Sequence, residues 1–217
     1  MDTKETLSKI YQHHHQEKKR HNFALYGEER GEFFSSFIGQ GKKVLDLGCR
    51  DGSLTKYYLK GNQMTGVDVD QYALQQARKK YGFQTIWLDL NSEWKELEKH
   101  IFDVIVVGET LEHLYYPKIA LSKAYHLLKP NGLLLGSVPN AFRFANRLRF
   151  LLGRKKGTSF CDPTHINHFS HKELEEILKE AKFKNIILKP LVKKQYLWFE
   201  RIWPGSFSYL IMFKAEK

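Results

Sequence analysis

Between residues 42 and 138 the sequence passes through five short apolar runs separated by polar stretches. They are KKVLDL (42–47), the stretch 61–69 that ends near Asp68, FQTIWLDL (83–90), FDVIVVG (102–108) and LLLGSV (133–138). Strand alternating with helix is the pattern of a parallel sheet covered on both faces. FDVIVVG is the most continuous run, as a central parallel strand requires. Helices are expected over 53–59, 71–82, from Pro117 to about residue 128, and over 171–181. LKPNG (128–132) reads as a turn. Two later runs, NIILKPL (185–191) and FSYLIMFKA (207–215), bring the strand count to seven. No long helix stands between them, so they read as an antiparallel pair at one edge. The expected fold is α/β, a doubly wound seven-stranded sheet with an antiparallel last strand. Residues 1–40 form a helical N-terminal extension that caps the mouth of a site, and 41–217 form the domain proper.

Composition narrows the class. With 217 residues, 42% hydrophobic and 27% charged, the chain has enough apolar mass for one ordinary core and is not disordered. No apolar run approaches the roughly 20 residues of a spanning helix. The N-terminus lacks a signal-peptide core. Two cysteines make no disulfide framework, so a reducing cytoplasm is the expected home. The net charge of +11 is segregated: residues 140–217 hold 16 Lys and Arg against 7 Asp and Glu. Such a face suits phosphates, anionic lipid or an acidic partner.

In an open α/β sheet, ligands bind beyond the carboxyl ends of the strands, near the point where strand order reverses. The first strand is followed by Gly48-Cys49-Arg50-Asp51-Gly52, whose glycines permit a sharp turn and close approach of a ligand. Asp68 closes the second strand, placed to accept both hydroxyls of a ribose. Asp89 closes the third, placed to accept from an exocyclic amino group. Asp46 with these two makes an acidic crevice, unsuited to a phosphate and suited to a nucleoside with a cationic tail. The loop also lacks the G-x-G-x-x-G spacing of dinucleotide sites.

VLDLGCRDG, GVDVD, LDL, FDVIVVGETLEHL and HLLKPNGLLLGSVPN, in that order, resemble the motif series of class I S-adenosylmethionine-dependent methyltransferases, which have a Rossmann-like sheet. The resemblance is close over about 40–140 and loose elsewhere. It implies S-adenosyl-L-methionine as cofactor, with Asp46, Gly48 and Gly52 around its methionine moiety and Cys49 and Arg50 in the same loop. It implies that Asp68 holds the ribose, Val69 packs on adenine, and Asp89 with Leu90 receives the adenine edge. Gly108 and Glu109 should line the sulfonium region. Arg50 departs from the family, which usually has Gly there. Tyr26 and Arg30 are candidates to reach the cofactor carboxylate or the acceptor. The patterns at 111–114, 138–140 and 165–170 resemble ubiquinone-biosynthesis and glycan-cluster O-methyltransferases, and 146–154 resembles methionine-biosynthesis W-type proteins.

The expected activity is therefore O-methylation of a small-molecule, glycan or lipid-linked acceptor. An RNA methyltransferase and a cofactor-binding regulatory partner without turnover are the alternatives. His165 and His113 are the expected proton acceptors, since histidine titrates near neutrality. Asp162 is placed to orient His165, and His168 reads as a packing residue. His165, His168 and His171 with Cys161 have ligand types for zinc, but such spacing is common by chance, and no metal is expected. His13, His14 and His15 read as a charged helix surface. Residues 141–156 carry six Lys and Arg, no acid and interleaved Phe and Leu. They read as a helix packed on the domain or as one lying on an anionic membrane, with nucleic acid less favoured. Residues 141–170 are expected to form a basic lid.

Overall fold

The computed structural model describes residues 3–18, 22–97, 99 and 101–217. Parts of the N-terminal extension, 1–2 and 19–21, lie outside the described residues.

One seven-stranded sheet organises the chain. In chain order its strands are β1 (Lys43–Leu47), β2 (Gln63–Asp68), β3 (Gln84–Trp87), β4 (Phe102–Gly108), β5 (Leu128–Pro139), β6 (Lys184–Leu191) and β7 (Leu210–Glu216). In space they run β3-β2-β1-β4-β5-β7-β6. The pairs from β3 through to β5 are parallel, and β7 is antiparallel to both β5 and β6. β1 and β4 lie at the centre, and Val44 to Leu47 and Val104 to Val107 are buried. Successive side chains alternate between faces. Leu45, Ile105, Leu134 and Phe213 enter one apolar cluster; Val44, Val104, Leu135 and Met212 enter the other.

The helices cover these faces. α4 (Pro117–Leu127) and α6 (His171–Glu180) bury Leu121, Ala124, Leu174 and Leu178 in the first cluster; α2 (Gly27–Ile38) and α3 (Gln71–Tyr81) bury Phe34, Ile38, Leu74 and Ala77 in the second. Their ends follow local chemistry. Asp70 caps α3 by accepting from the Ala73 N–H, and Gly82 ends it at φ 73°. Ser170 and Glu173 form a capping box on α6. Among the described residues there are three further α-helices: α1 (Thr3–Glu17), α5 (Phe144–Leu151) and α7 (Leu197–Ile202).

The doubly wound sheet with a reversed β7 and an antiparallel β6–β7 edge pair agrees with the expectation from sequence, and three local readings do not. Residues 53–59 form a single 3₁₀ turn, Thr55–Tyr57, instead of a helix. Gly52 and Gly61 bracket too short a segment to propagate an α-helix, and Thr55 and Tyr58 are drawn onto Asp46. LKPNG is part of β5: pairing starts at Leu128 opposite Phe102, the backbone bulges through Asn131 at φ 60°, and register resumes at Leu133 opposite Val104. β3 stops at Trp87, which leaves Asp89 in the following loop. As expected, no long helix joins β6 to β7: the connection holds only the six-residue α7.

Gly136 lies where β5 passes closest to its neighbours. A Cβ there would stand 2.4 Å from the Val107 carbonyl and 2.3 Å from the Phe213 ring. A backbone oxygen in the middle of a sheet has no room to retreat. Gly136→Ala should therefore lower stability by roughly 1–3 kcal/mol, read as a lower urea midpoint with unchanged slope.

Candidate functional site

Beyond the carboxyl ends of β1, β2 and β4 lies a cavity of about 630 Å³, within the roughly 300–1,000 Å³ usual for small-molecule sites. Asp46, Gly48, Cys49, Arg50, Asp68, Val69, Asp89, Leu90, Gly108, Glu109, Tyr26, Arg30, His113 and His165 all line it. Gly52 does not. Its position at φ 76° faces the rings of Tyr81 and Phe83, so it shapes the turn from behind.

The loop after β1 is held by buried donors and acceptors. Asp46 accepts from Thr55 Oγ1 at 2.6 Å and Tyr58 OH at 2.7 Å. Burial pushes its carboxyl up to about 6, against these hydrogen bonds and nearby Arg30. Gly48 sits at φ 79°, where a Cβ would meet Thr110 Oγ1 at 2.3 Å. Cys49 is buried, and burial pushes its thiol up. Arg50 adopts φ 50°, the left-handed region that favours glycine. Its guanidinium donates to Asp51 Oδ1 at 3.3 Å and to the Phe23 carbonyl. The residue that departs from the family thus ties the loop to the N-terminal segment.

Asp68 is fixed by two backbone donors, Arg50 N–H on Oδ2 and Asp70 N–H on Oδ1, each at 2.8 Å. A carboxylate offers about four acceptor sites, so capacity for two hydroxyls remains. Burial raises its pKa, the two N–H bonds notwithstanding. Asp89 Oδ1 accepts from the Asn91 backbone and side chain.

The N-terminal extension contributes to the cavity lining. Leu7, Tyr11 and His15, spaced four apart along one face of α1, line the cavity with Lys18 just past the helix end. His15 Nδ1 lies 2.9 Å from Asp70 Oδ2, which hitches α1 to the cap of α3. This corrects the reading of the three histidines as solvated surface: His14 and His15 are buried, and His13 is exposed. A carboxylate at the start of α3 supplied the partner that the sequence around the histidines did not show. Tyr11 reports the field inside. Burial and the charges of Asp68, Glu112 and Asp89 push its hydroxyl well above the usual value.

Past β4, the turn 111–113 is stitched to the loop 162–169. Glu112 carbonyl accepts from Ile166 and Asn167 N–H at 2.9 Å, and Asn167 Nδ2 donates to the Leu114 carbonyl. His113 Nδ1 lies 2.9 Å from the Thr164 carbonyl. A carbonyl only accepts, so Nδ1 carries the proton and Nε2 is the basic nitrogen in the neutral ring. His165 packs edge-on to it with ring centroids 4.8 Å apart. Asp162 Oδ2 stands 4.0 Å from His165 Nε2, beyond hydrogen-bond reach, and Asp162 Oδ1 is 3.5 Å from His14 Nε2. Burial opposes ionisation of Asp162, but Thr164 and the two histidines outweigh it and hold its carboxyl at about 2.

The four zinc-type residues are not brought together. His168 stacks on Phe160 at 3.6 Å, His171 packs on Gly205, and exposed Cys161 donates to the Lys155 carbonyl. Instead Glu112, His113 and His165 present candidate ligand atoms within 4.8 Å of one another. Glu112, fully buried and missed as a site residue, is visible in sequence only as the middle of Leu-Glu-His. Arg143 and Asn146 of the basic segment also line the cavity, with Thr158, Ser159 and Tyr209.

Comparison with known proteins adds the family. A family described as a methyltransferase domain matches residues 11–188. The chain is 38% identical over 116 residues to a ubiquinone biosynthesis O-methyltransferase of Pasteurella multocida, covering 46% of this chain and 47% of that protein. It is 29% identical over 161 residues to the juvenile hormone acid O-methyltransferase of Bombyx mori, covering 67% and 58%. The chain thus spans about half the length of the curated relatives it matches. Among solved structures it is similar to a SAM-dependent methyltransferase of Thermotoga maritima, with a TM-score of 0.70, 16% identity and 97% of both chains covered. A SAM-dependent methyltransferase of Archaeoglobus fulgidus gives 0.68 at 19% identity, covering 89% and 93%.

The buried Asp46 carboxyl makes a pH prediction. Its folded value of about 6 lies above the ordinary carboxyl value of 3.8. The folded protein therefore holds the proton longer than the unfolded chain, and this group's contribution to stability falls as pH rises from about 4 to about 6. Asp46→Asn keeps an acceptor for Thr55 and Tyr58 and removes the charge. Relative to wild type, the variant should gain thermal stability at pH 7 and lose that advantage by pH 4. Thermal melts across this range check it, and a constant difference would contradict the assignment.

Proposed function

The chain belongs to the methyltransferase-domain family, and on that premise we propose that it binds S-adenosylmethionine and methylates an oxygen of a small-molecule, glycan or lipid-linked acceptor. The observation that carries this reading is one cavity holding both a row of acids suited to a nucleoside and a pair of histidines packed edge-on. When bound, S-adenosylmethionine supplies an electrophilic methyl group on a sulfonium.

The residues fit such a group. Asp68 is fixed by backbone donors and keeps acceptor capacity for two ribose hydroxyls. Val69 and Leu90 offer apolar contact to a base, and Asp89 an acceptor for its amino group. Arg30 is buried beside Gly108, and its Nε has no hydrogen-bond partner among the described residues, which suits a carboxylate. Five acids, Asp46, Asp68, Asp89, Glu109 and Glu112, line the cavity, a field that favours a sulfonium and an ammonium.

His113 and His165 stand where the acceptor would enter, between the β4 end and the mouth. As the acceptor oxygen takes the methyl group, its proton passes to a histidine nitrogen, with His113 Nε2 already in the accepting tautomer. The α1 helix and the 141–165 segment narrow the opening, which supports a small or slender acceptor over a folded RNA. Both relatives above are named O-methyltransferases, which supports oxygen as the acceptor atom. Two free cysteines support a reducing, cytoplasmic setting.

Calorimetry with S-adenosylmethionine tests the cradle. Asp68→Ala should weaken binding by tens- to a hundredfold, about 2–3 kcal/mol, and unchanged affinity would refute the assignment.

A cell extract given methyl-labelled cofactor identifies the acceptor class. With that acceptor, His165→Ala and His113→Ala should keep cofactor affinity while kcat falls by roughly 10²–10⁴. Near-normal turnover in both variants would leave catalysis to proximity alone, and label in RNA would transfer the reading to that substrate.

A further inference from the structure

Helix α5 does not bury its apolar residues. Its only fully buried residue is Asn146, while Leu148 is 49% and Leu151 84% exposed. More than forty residues later, α7 does the same: Trp198 is 64% exposed, and Trp203 just beyond its end is 57% exposed. The two helices form one surface. Phe144 N–H donates to the Ser206 carbonyl at 2.6 Å, and the Phe144 ring stacks on Phe207 at 5.6 Å. Phe207 also meets Phe199 of α7 at 5.5 Å and Trp203 at 6.5 Å.

The cations of these segments are mostly outward. Arg147 in α5, Arg154, Lys155 and Lys156 just after it, and Lys193, Lys194 and Arg201 around α7 are exposed, while Arg143 and Arg149 are half-buried. The one acid of α7, Glu200, is turned inward, where its carboxylate accepts the N–H groups of Gly205 and Phe207. An apolar centre of leucine and tryptophan, a rim of cations and no outward acid match an anionic bilayer in both polarity and charge.

We propose that α5 and α7 together form an interfacial platform that seats the protein on an anionic lipid surface. RNA is the competing occupant, since bases stack on aromatic rings and phosphates pair with arginine. The aliphatic side chains decide against it. Leu148, Leu151, Leu152 and Ile202 are all exposed and have no stacking face, so base stacking leaves their surface in water, whereas transfer into hydrocarbon removes it. The platform adjoins the cavity mouth: Arg143 and Asn146 at the start of α5 line it, and the Arg143 guanidinium lies 4.3 Å from the Tyr209 ring centroid. A lipid-like molecule seated in the same leaflet would reach the mouth without crossing water. The platform stands on its own geometry and is tested without any methyl acceptor.

The test is flotation of the full chain with phosphatidylcholine vesicles, with and without phosphatidylglycerol, at low and high salt. The protein should float with the anionic vesicles alone and be released by salt. Its tryptophan emission should shift to the blue on binding, as Trp198 and Trp203 leave water. Arg154→Glu/Lys155→Glu/Lys156→Glu should lower partition by on the order of a hundredfold, and Trp198→Ala/Trp203→Ala by at least about tenfold. Both variants change exposed side chains, so thermal unfolding should match wild type. Equal recovery with neutral and anionic vesicles, recovery with neither, or binding of single-stranded RNA in preference to vesicles would overturn the proposal.

Discussion

β1 and β4 run side by side in register from Val44 opposite Val104 to Leu47 opposite Val107, and beyond that point the chain leaves them in opposite directions. The gap this reversal opens is the floor of the cavity, and its geometry sets every other placement. Thr110 bridges it by donating from Oγ1 to the Leu47 carbonyl at 3.0 Å. That bridge leaves no space for a side chain at position 48, so glycine there answers to packing as well as to its positive φ. Asp46 lies beneath, tied to Thr55 and Tyr58, and converts what would be a helix after β1 into a tight turn.

A concentration of buried acids around this gap is electrostatically demanding, because burial disfavours ionisation. The structure answers with donors drawn from distant parts of the chain. Backbone N–H groups hold Asp68, and His15 of α1 stands against Asp70. Arg50 accepts a left-handed backbone and reaches Asp51 and the Phe23 carbonyl. These ties hold the N-terminal extension against the acid-bearing loops beside the cavity. The same negative field that makes the acids expensive to bury makes the cavity receptive to a cation.

The histidine pair is assembled by backbone pairing more than by its own side chains. Two hydrogen bonds to the Glu112 carbonyl bring the 164–167 loop against the 111–113 turn, and the Thr164 carbonyl then sets the tautomer of His113. The basic surface of α5 and α7 has a comparable origin. Asn140, buried, donates to the Gly205 and Ser208 carbonyls and to the Ser208 hydroxyl, which anchors the α7 return beside α5.

Sequence alone determined the features with a short-range physical signature. Period and length marked the seven strands and α3, α4 and α6, because burial on one face or both imposes a repeat that local residues carry. Acids near strand ends and glycines in the first loop located the cradle, because strand carboxyl ends converge in any sheet of this topology. Other features were decided only by tertiary structure, because they depend on partners far along the chain. Nothing near His14 and His15 announces Asp162 or Asp70, fifty or more residues away. Nothing local moves Gly52 behind the loop, or replaces a helix at 53–59 with a turn drawn onto Asp46. The pairing of α5 with α7 was equally hidden: each is a short amphipathic segment alone, and only the contact through Phe207 makes their exposed faces one surface.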